Sequence, residues 1–291
     1  MMPTSFYRPR PGQRSWRRNP LPSVSPNLVI SASLCLMLLV TAILAPCLAP
    51  FDPNIQNLTQ RLCPPSALHW FGTDGFGRDV LSRVIYGTRP AMIMLAMIVT
   101  LTMPLGLLVG ISAGYLGGWG DRALMRLTDI VLALPGLVIA LALVAVLGAG
   151  LMNNVLALAL TSWPHFARQA RAETLALKNS DFLMAARMQG IGGWRLMYGH
   201  ILPFCLPGAV VRAAMTLAHA ILAIAGLGFL GVGAQPPMSE WGKMVADGST
   251  VMAEQWWVAT APGVAIFLTS LIFNLLGNGL RDRLDPRHGN R

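Results

Sequence analysis

The sequence predicts an all-α, polytopic membrane protein with six transmembrane helices, and three observations carry that prediction. The first is composition: 54% of the 291 residues are hydrophobic and 12% are charged, against about 25% charged in soluble domains. The second is the spacing of the charges. Neutral tracts run from Pro20 to Phe51, Pro90 to Gly120, Ile130 to Ala167, Ala213 to Ser239 and Gln255 to Leu280. A bilayer core about 30 Å thick needs roughly 20 apolar helical residues. The third tract is too long for one span, and Gly148, Gly150, Asn153 and Asn154 supply a turn within it. Six spans follow, at about 27–49, 90–114, 124–147, 152–170, 205–233 and 257–279. The third observation is the placement of basic residues. Six spans leave both termini on one side. That side carries the arginines of both terminal segments with Arg122, Arg126, Arg168, Arg171, Lys178, Arg187 and Arg195. The other carries Arg61, Arg78, Arg83, Arg89 and Lys243. The excess marks the cytoplasmic side and predicts a multi-pass inner-membrane protein with both termini in the cytoplasm. It also accounts for the net charge of +10 without a nucleic-acid partner.

Residues 1–26, rich in proline and holding five arginines, read as a disordered basic tail with anionic membrane lipid as its counter-surface. Residues 27–86 hold the first span and a periplasmic loop. The apolar stretch is longer than a signal-peptide core, and Ala45-Pro46-Cys47 is a poor cleavage site, so the span is expected to remain. Cys35, Cys47, Cys63 and Cys205 lack C-x-x-C spacing and read as unpaired apolar side chains.

In the loop, "HWFGTDGFGRDVLSRVIYGTRPAM" places Val80, Leu81, Val84 and Ile85 on one helical face. It predicts a short interfacial helix near 77–88, with Asp74 near its start, framing the outer mouth of a pathway. In the second span Gly106, Gly110, Gly114 and Gly118 recur every fourth residue, a face that lets another helix approach closely. Pro104, Pro135, Pro164 and Pro262 interrupt helices in or near spans. Asp129 and Arg212 sit near expected inner ends. His219 falls mid-span, where it is either a hydrogen-bonded interhelical group or a pathway residue.

Between the fourth and fifth spans, about 171–204, lies a cytoplasmic loop with internal order. "NSDFLMAARMQG" has Ser180 or Asp181 as a helix cap and Gly190 as a stop. Gly192 and Gly193 break the chain, and "WRLMYGHI" forms a second short helix ending at Pro203. Two short helices about a glycine hinge make a docking surface or an amphipathic connector on the headgroups. Residues 281–291 form a second cytoplasmic tail.

"AARMQG", nine residues, then "HILP" resembles the coupling-loop signature E-A-A-x-x-x-G-x9-x-x-L-P of ABC-importer permeases. Ala185, Ala186, Gly190, Leu202 and Pro203 occupy matching places, with His200 beside them, and Met184 stands where the family has glutamate. "FGTDGFGRDVLSRVIYGTR", "DIVLALPGLVIALALVAVLG", "LGFLGVGAQPPMSEWGKMV" and "NLLGNGLRDRLDPR" are similar, in order, to the dipeptide/oligopeptide/nickel branch and its C-type subunit. The resemblance implies a type I importer transmembrane domain over 87–280 and a homologous permease partner. It further implies two ATP-binding subunits docked on the coupling loop and a periplasmic solute-binding protein. Peptides are the implied cargo, with nickel chelates or other metallophores as the alternative.

ATP and Mg would be bound by the partner subunits, leaving this chain without a cofactor and not itself an enzyme. The residues agree, since no G-x-x-x-x-G-K-[ST] phosphate cradle occurs in the sequence. A secondary transporter would need embedded carboxylates in symmetric repeats, and Asp129 is the marginal candidate. A membrane enzyme would need clustered ligands or a nucleophile with its base. His69, His165, His200, His219 and His288 are instead scattered.

Overall fold

The computed structural model describes residues 26–284, and these form helices joined by turns, with no strand. The tail expected over 1–26 lies outside the described residues up to 25, while Pro26 opens the first helix. The last helix continues to Leu284, into the segment expected as the C-terminal tail, whose remainder lies outside the described residues. Along the chain the helices are α1 (Pro26–Leu48), α2 (Val80–Leu116), α3 (Gly118–Ala133), α4 (Gly136–Leu147) and α5 (Leu151–Lys178). They continue with α6 (Asp181–Met188), α7 (Gly193–Leu196), α8 (Leu202–Phe229), α9 (Trp241–Ser249) and α10 (Trp257–Leu284).

Contacts at the two ends of the bundle define its direction. At one end Phe51 N–H donates to Ser82 Oγ at 3.0 Å, and Trp241 Nε1–H donates to the Val84 carbonyl at 2.9 Å. Leu151 shares a crevice there with Tyr86, Arg89 and Ile93. At the other end Lys178 Nζ donates to the Tyr115 carbonyl at 2.8 Å, and Gly279 lies against Leu28. α2 and α5 therefore run in the same direction, and α3 with α4 must carry the chain back between their ends.

Four helical segments are long and apolar enough to cross a bilayer alone: α1, α2, the continuous run Gly193–Phe229, and α10. α3 and α4 qualify only together, as a pair bent by 87°. The expected single span at 124–147 is thus two helices. Pro135 drives Leu134 to φ −105°, ψ 148°, outside the helical region. α5 has the length of a span at 28 residues but not the apolarity, since it carries Asn153, Asn154, His165, Arg168, Arg171, Glu173 and Lys178; its Asn154, Thr161 and Thr174 are buried within the protein. By length and composition, then, the expected six helices appear as four plus one bent pair, with α5 held in the bundle by its neighbours.

The glycine face is where the sequence placed it. A Cβ on Gly106 would lie 2.8 Å from the Trp163 carbonyl oxygen, one on Gly110 2.8 Å from Ala170 Cβ, and one on Gly114 2.8 Å from Thr174 Cβ. The seam brings α2 onto α5, the most extensive helix pair of the fold. It ends at Gly114, since Gly118 faces open space. α1 packs on α2 and α10 and exposes Leu36 and Ile43 outward, as a lipid-facing helix does.

Two local expectations are corrected. The interfacial helix near 77–88 is not a separate element, because α2 runs unbroken from Val80 through Pro90 and Pro104. Its first turns are covered by the 49–79 loop, which buries Val80, Ser82 and Arg83. Likewise "WRLMYGHI" is no separate helix. α7 passes through a π-turn at Met197–Ile201 directly into α8.

Candidate functional site

The turn expected to face the cytoplasm begins where α5 ends. Ser180, the expected cap, accepts from Leu183 N–H and opens α6. Its inner face, Leu183 and Ala186, joins Ile111 of α2, Ala170 of α5, and Leu196, Met197, Ile201 and Cys205 of the α7–α8 run. Gly190 then adopts φ +78° with nothing within 4 Å of a Cβ placed there. The left-handed backbone is its only demand, and it turns the chain from α6 to α7. His200 lies in the π-turn before α8, its ring 5.8 Å from Phe182.

The coupling residues expected from the sequence are therefore brought together around one small core, but unequally. Ala186 is buried in the core and Leu202 packs on it. Met184, Ala185, Gly190 and Pro203 are exposed. Beside them Phe182, Met188 and Trp194 are exposed too, making an apolar patch at this end of the bundle. Arg187 stacks over the Tyr115 ring at 5.6 Å and Lys178 caps the end of α2, so the turn is tied to α2 as well as to its own helices. α3 is tied in by Arg171, which donates to both Asp121 oxygens at 2.6 and 2.7 Å.

The opposite end is closed by a compact cap. Asp74, expected near a helix start, instead closes the loop: it accepts from Phe76 N–H at 2.8 Å and from Arg78 Nε at 2.7 Å. Asp79 is the helix cap, accepting from Ser82 N–H at 2.8 Å, and its other oxygen meets His69 Nδ1 at 2.9 Å. Arg83 donates to the Pro53 carbonyl at 3.0 Å.

One residue of this end was not singled out by the sequence reading. Glu240, at the start of α9, is 3% exposed. Its carboxylate is packed against Gly228, Gly233 and Gly242. The backbone N–H groups of Gly242, Ala234 and Lys243 point toward it and hold its pKa down in part, but none reaches hydrogen-bonding geometry. Burial dominates and pushes the carboxyl up to about 7. The available signal was an acid set among glycines and apolar residues in "LGVGAQPPMSEWG".

His219 lies in mid-bundle as expected. Its Nδ1–H donates to the Met215 carbonyl at 2.8 Å, and the ring lines a cavity of about 400 Å³ between α4, α5 and α8. Arg212 lines it too. Asp129 does not, being paired with Arg168 at 2.7 Å. The four cysteines are unpaired, as the spacing implied.

Residues 106–289 match the family described as the binding-protein-dependent transport system inner membrane component. The chain is 44% identical to the probable D,D-dipeptide transport system permease protein DdpC of Escherichia coli (strain K12), over 92% of this chain and 90% of that one. It is 42% identical to the dipeptide transport system permease protein DppC of Alkalihalophilus pseudofirmus, over 90% and 84%. The glutathione transport system permease protein GsiD of Pectobacterium atrosepticum is 41% identical, over 95% and 91%.

Proposed function

This chain belongs to the family of binding-protein-dependent transport system inner membrane components, and from that premise we propose that it is the permease subunit of an ATP-driven importer of short peptides. The cargo reading rests on the relatives, whose names specify dipeptide, D,D-dipeptide and glutathione transport; no feature of the chain favours a nickel chelate. It pairs with a homologous permease, and a periplasmic binding protein delivers solute to the external cap. Two ATP-binding subunits supply the driving energy and hold ATP and Mg, while this chain carries the path.

The observation that carries the reading is the cytoplasmic turn. α6 is anchored on its inner face by Leu183 and Ala186 and offers Phe182, Met184 and Met188 on its outer face. An ATPase subunit gripping that face moves α6, and the shared core passes the movement to α2, α5 and α8. That is a bistable element biased by a ligand bound on another chain. Met184 in the family's glutamate position extends the apolar patch, so docking here relies on burial more than on charge. Counting α3 with α4 as one crossing and α5 as another, six crossings return both termini to the basic, cytoplasmic side.

The test is reconstitution in proteoliposomes of the chain with its homologous permease, both ATPase subunits and the binding protein. Labelled dipeptide should accumulate only when ATP and binding protein are both present. Uptake by the purified chain alone, driven by an ion gradient, would establish a secondary transporter instead.

A further inference from the structure

The cavity between α4, α5 and α8 has a chemical polarity of its own. Thr161, Ser162 and His165 line it from α5, and Arg212, Thr216 and His219 from α8. Each set follows three- and four-residue steps, so each occupies one stripe of its helix, and the two stripes face a common space. The remaining lining is apolar, and no carboxylate is among the lining residues.

Arg212 makes no ion pair among the described residues. Of the acids on neighbouring elements, Asp129 holds Arg168 and Asp121 holds Arg171. Glu173 accepts from Gln169 at 3.0 Å through Oε1, leaves Oε2 without a partner among the described residues, and lies against Gly208 rather than in an ion pair with Arg212. An unpaired guanidinium and two imidazoles on membrane-spanning helices are costly facing lipid, and such groups face a water-filled path or an ionic partner. Arg212 and Met215 also border a second cavity of about 430 Å³ that reaches Arg281 near the cytoplasmic end of α10. Arg212 and Arg281 thus place basic groups from mid-bundle toward the cytoplasm, with Glu173 beside Gln169 and Gly208 at the edge of the second cavity.

We propose that this cavity is a subsite for the carboxylate of the transported solute, with Arg212 as the fixed cation. Ser162 and Thr216 supply neutral hydroxyl donors, and His165 and His219 become donors on the cavity when protonated. A guanidinium binds a carboxylate through two parallel N–H···O bonds, which gives direction as well as attraction. A site of this kind handles any short peptide by its free C-terminus and is indifferent to side chains. The proposal rests on the peptide-importer reading and adds to it the group that is recognised inside the membrane.

The experiment uses the complete reconstituted transporter with saturating loaded binding protein. Dipeptide uptake per ATP hydrolysed is compared among wild type, Arg212→Gln and Arg212→Lys. The expected result is a tenfold or greater fall for Arg212→Gln, with recovery to within about threefold of wild type for Arg212→Lys. ATP hydrolysis stimulated by loaded binding protein should stay within twofold throughout. Wild-type uptake by Arg212→Gln overturns the subsite, as does an equal loss in the glutamine and lysine variants, which marks a packing role. If Arg212→Gln fails to co-purify with its partners, His219→Gln decides, since that side chain is exposed and held only by its own helix. A several-fold fall there supports the subsite, and unchanged uptake overturns it. Absence of peptide uptake by wild type defeats the importer reading itself, a result separate from any difference among variants.

Discussion

Replacing Glu240 by Gln should remove a pH-dependent weakness from the end of the bundle where α9 begins. In the folded protein burial raises this carboxyl from 4.5 to about 7. Below about pH 4.5 the group is protonated whether the chain is folded or unfolded, and it costs nothing. Between 4.5 and about 7 the unfolded chain releases the proton while the folded chain retains it, so stability falls as pH rises. Above 7 the group is ionised in both states and the full cost of the buried charge remains. A displacement of this size corresponds to at most about 3 kcal/mol, reduced by whatever water reaches the ionised site. Glutamine has nearly the same shape, keeps an acceptor oxygen for the amides of Gly242 and Ala234, and is neutral at every pH. Thermal unfolding of the purified complex in detergent, followed from pH 5 to 8.5, checks this. Wild type and Glu240→Gln should nearly coincide at pH 5, and the variant should melt several degrees higher at pH 8. A gap that stays constant across the range, or that widens toward low pH, would refute the argument.

The other predictions concern the two ends of α2 and the turn below it. Gly190→Leu meets no neighbour within 4 Å, so its cost is the left-handed backbone alone, on the order of 1–3 kcal/mol. Insertion and pairing with the homologous permease should survive, while co-purification of the ATPase subunits or substrate-stimulated hydrolysis falls several-fold. Met184→Glu should do no comparable harm in the same assay. Gly110→Leu drives a side chain into Ala170 across the α2–α5 seam, and the yield of assembled complex should drop sharply, because overpacking here parts two helices rather than straining a turn. Reporter fusions after Gly120 and Lys178 should report cytoplasm, and fusions at Arg61 and Gly150 periplasm; a cytoplasmic signal at Gly150 would mean that α3 and α4 do not cross.

What could be read in advance was local in origin. A charge-free tract of sufficient length is helical in lipid because its backbone has no other partner, so α1, α2, α8 and α10 were visible as spans. Glycines at every fourth position share a helix face, so the seam of α2 was visible before its partner was known. Ser180 and Gly190 bracket α6 through short-range capping and backbone preference, which needs no neighbour to express it.

Other features depended on groups far apart in the chain. Pro90 reads as a boundary, yet α2 passes through it because the loop from 49 to 79 buries the turns before it. Pro135 looks like the same signal and has the opposite outcome, an 87° bend between α3 and α4. The difference is not in the prolines but in what packs around each. Pairing was equally hidden: Asp74 was expected near the helix start, whereas Asp79 is the cap and His69 completes it. Glu240 drew no notice in the sequence and is enclosed by glycines from α8, the following turn and α9. Arg212 and His219 were recognisable as costly side chains in a span, while their facing His165 across a space without acids required α5 and α8 to be set side by side. Sequence alone determined the four long apolar helices and which end is basic, because those follow from the solvation of each segment by itself. Only the tertiary structure decided which polar groups meet, because a buried charge or a bent helix is tolerated or refused by its neighbours.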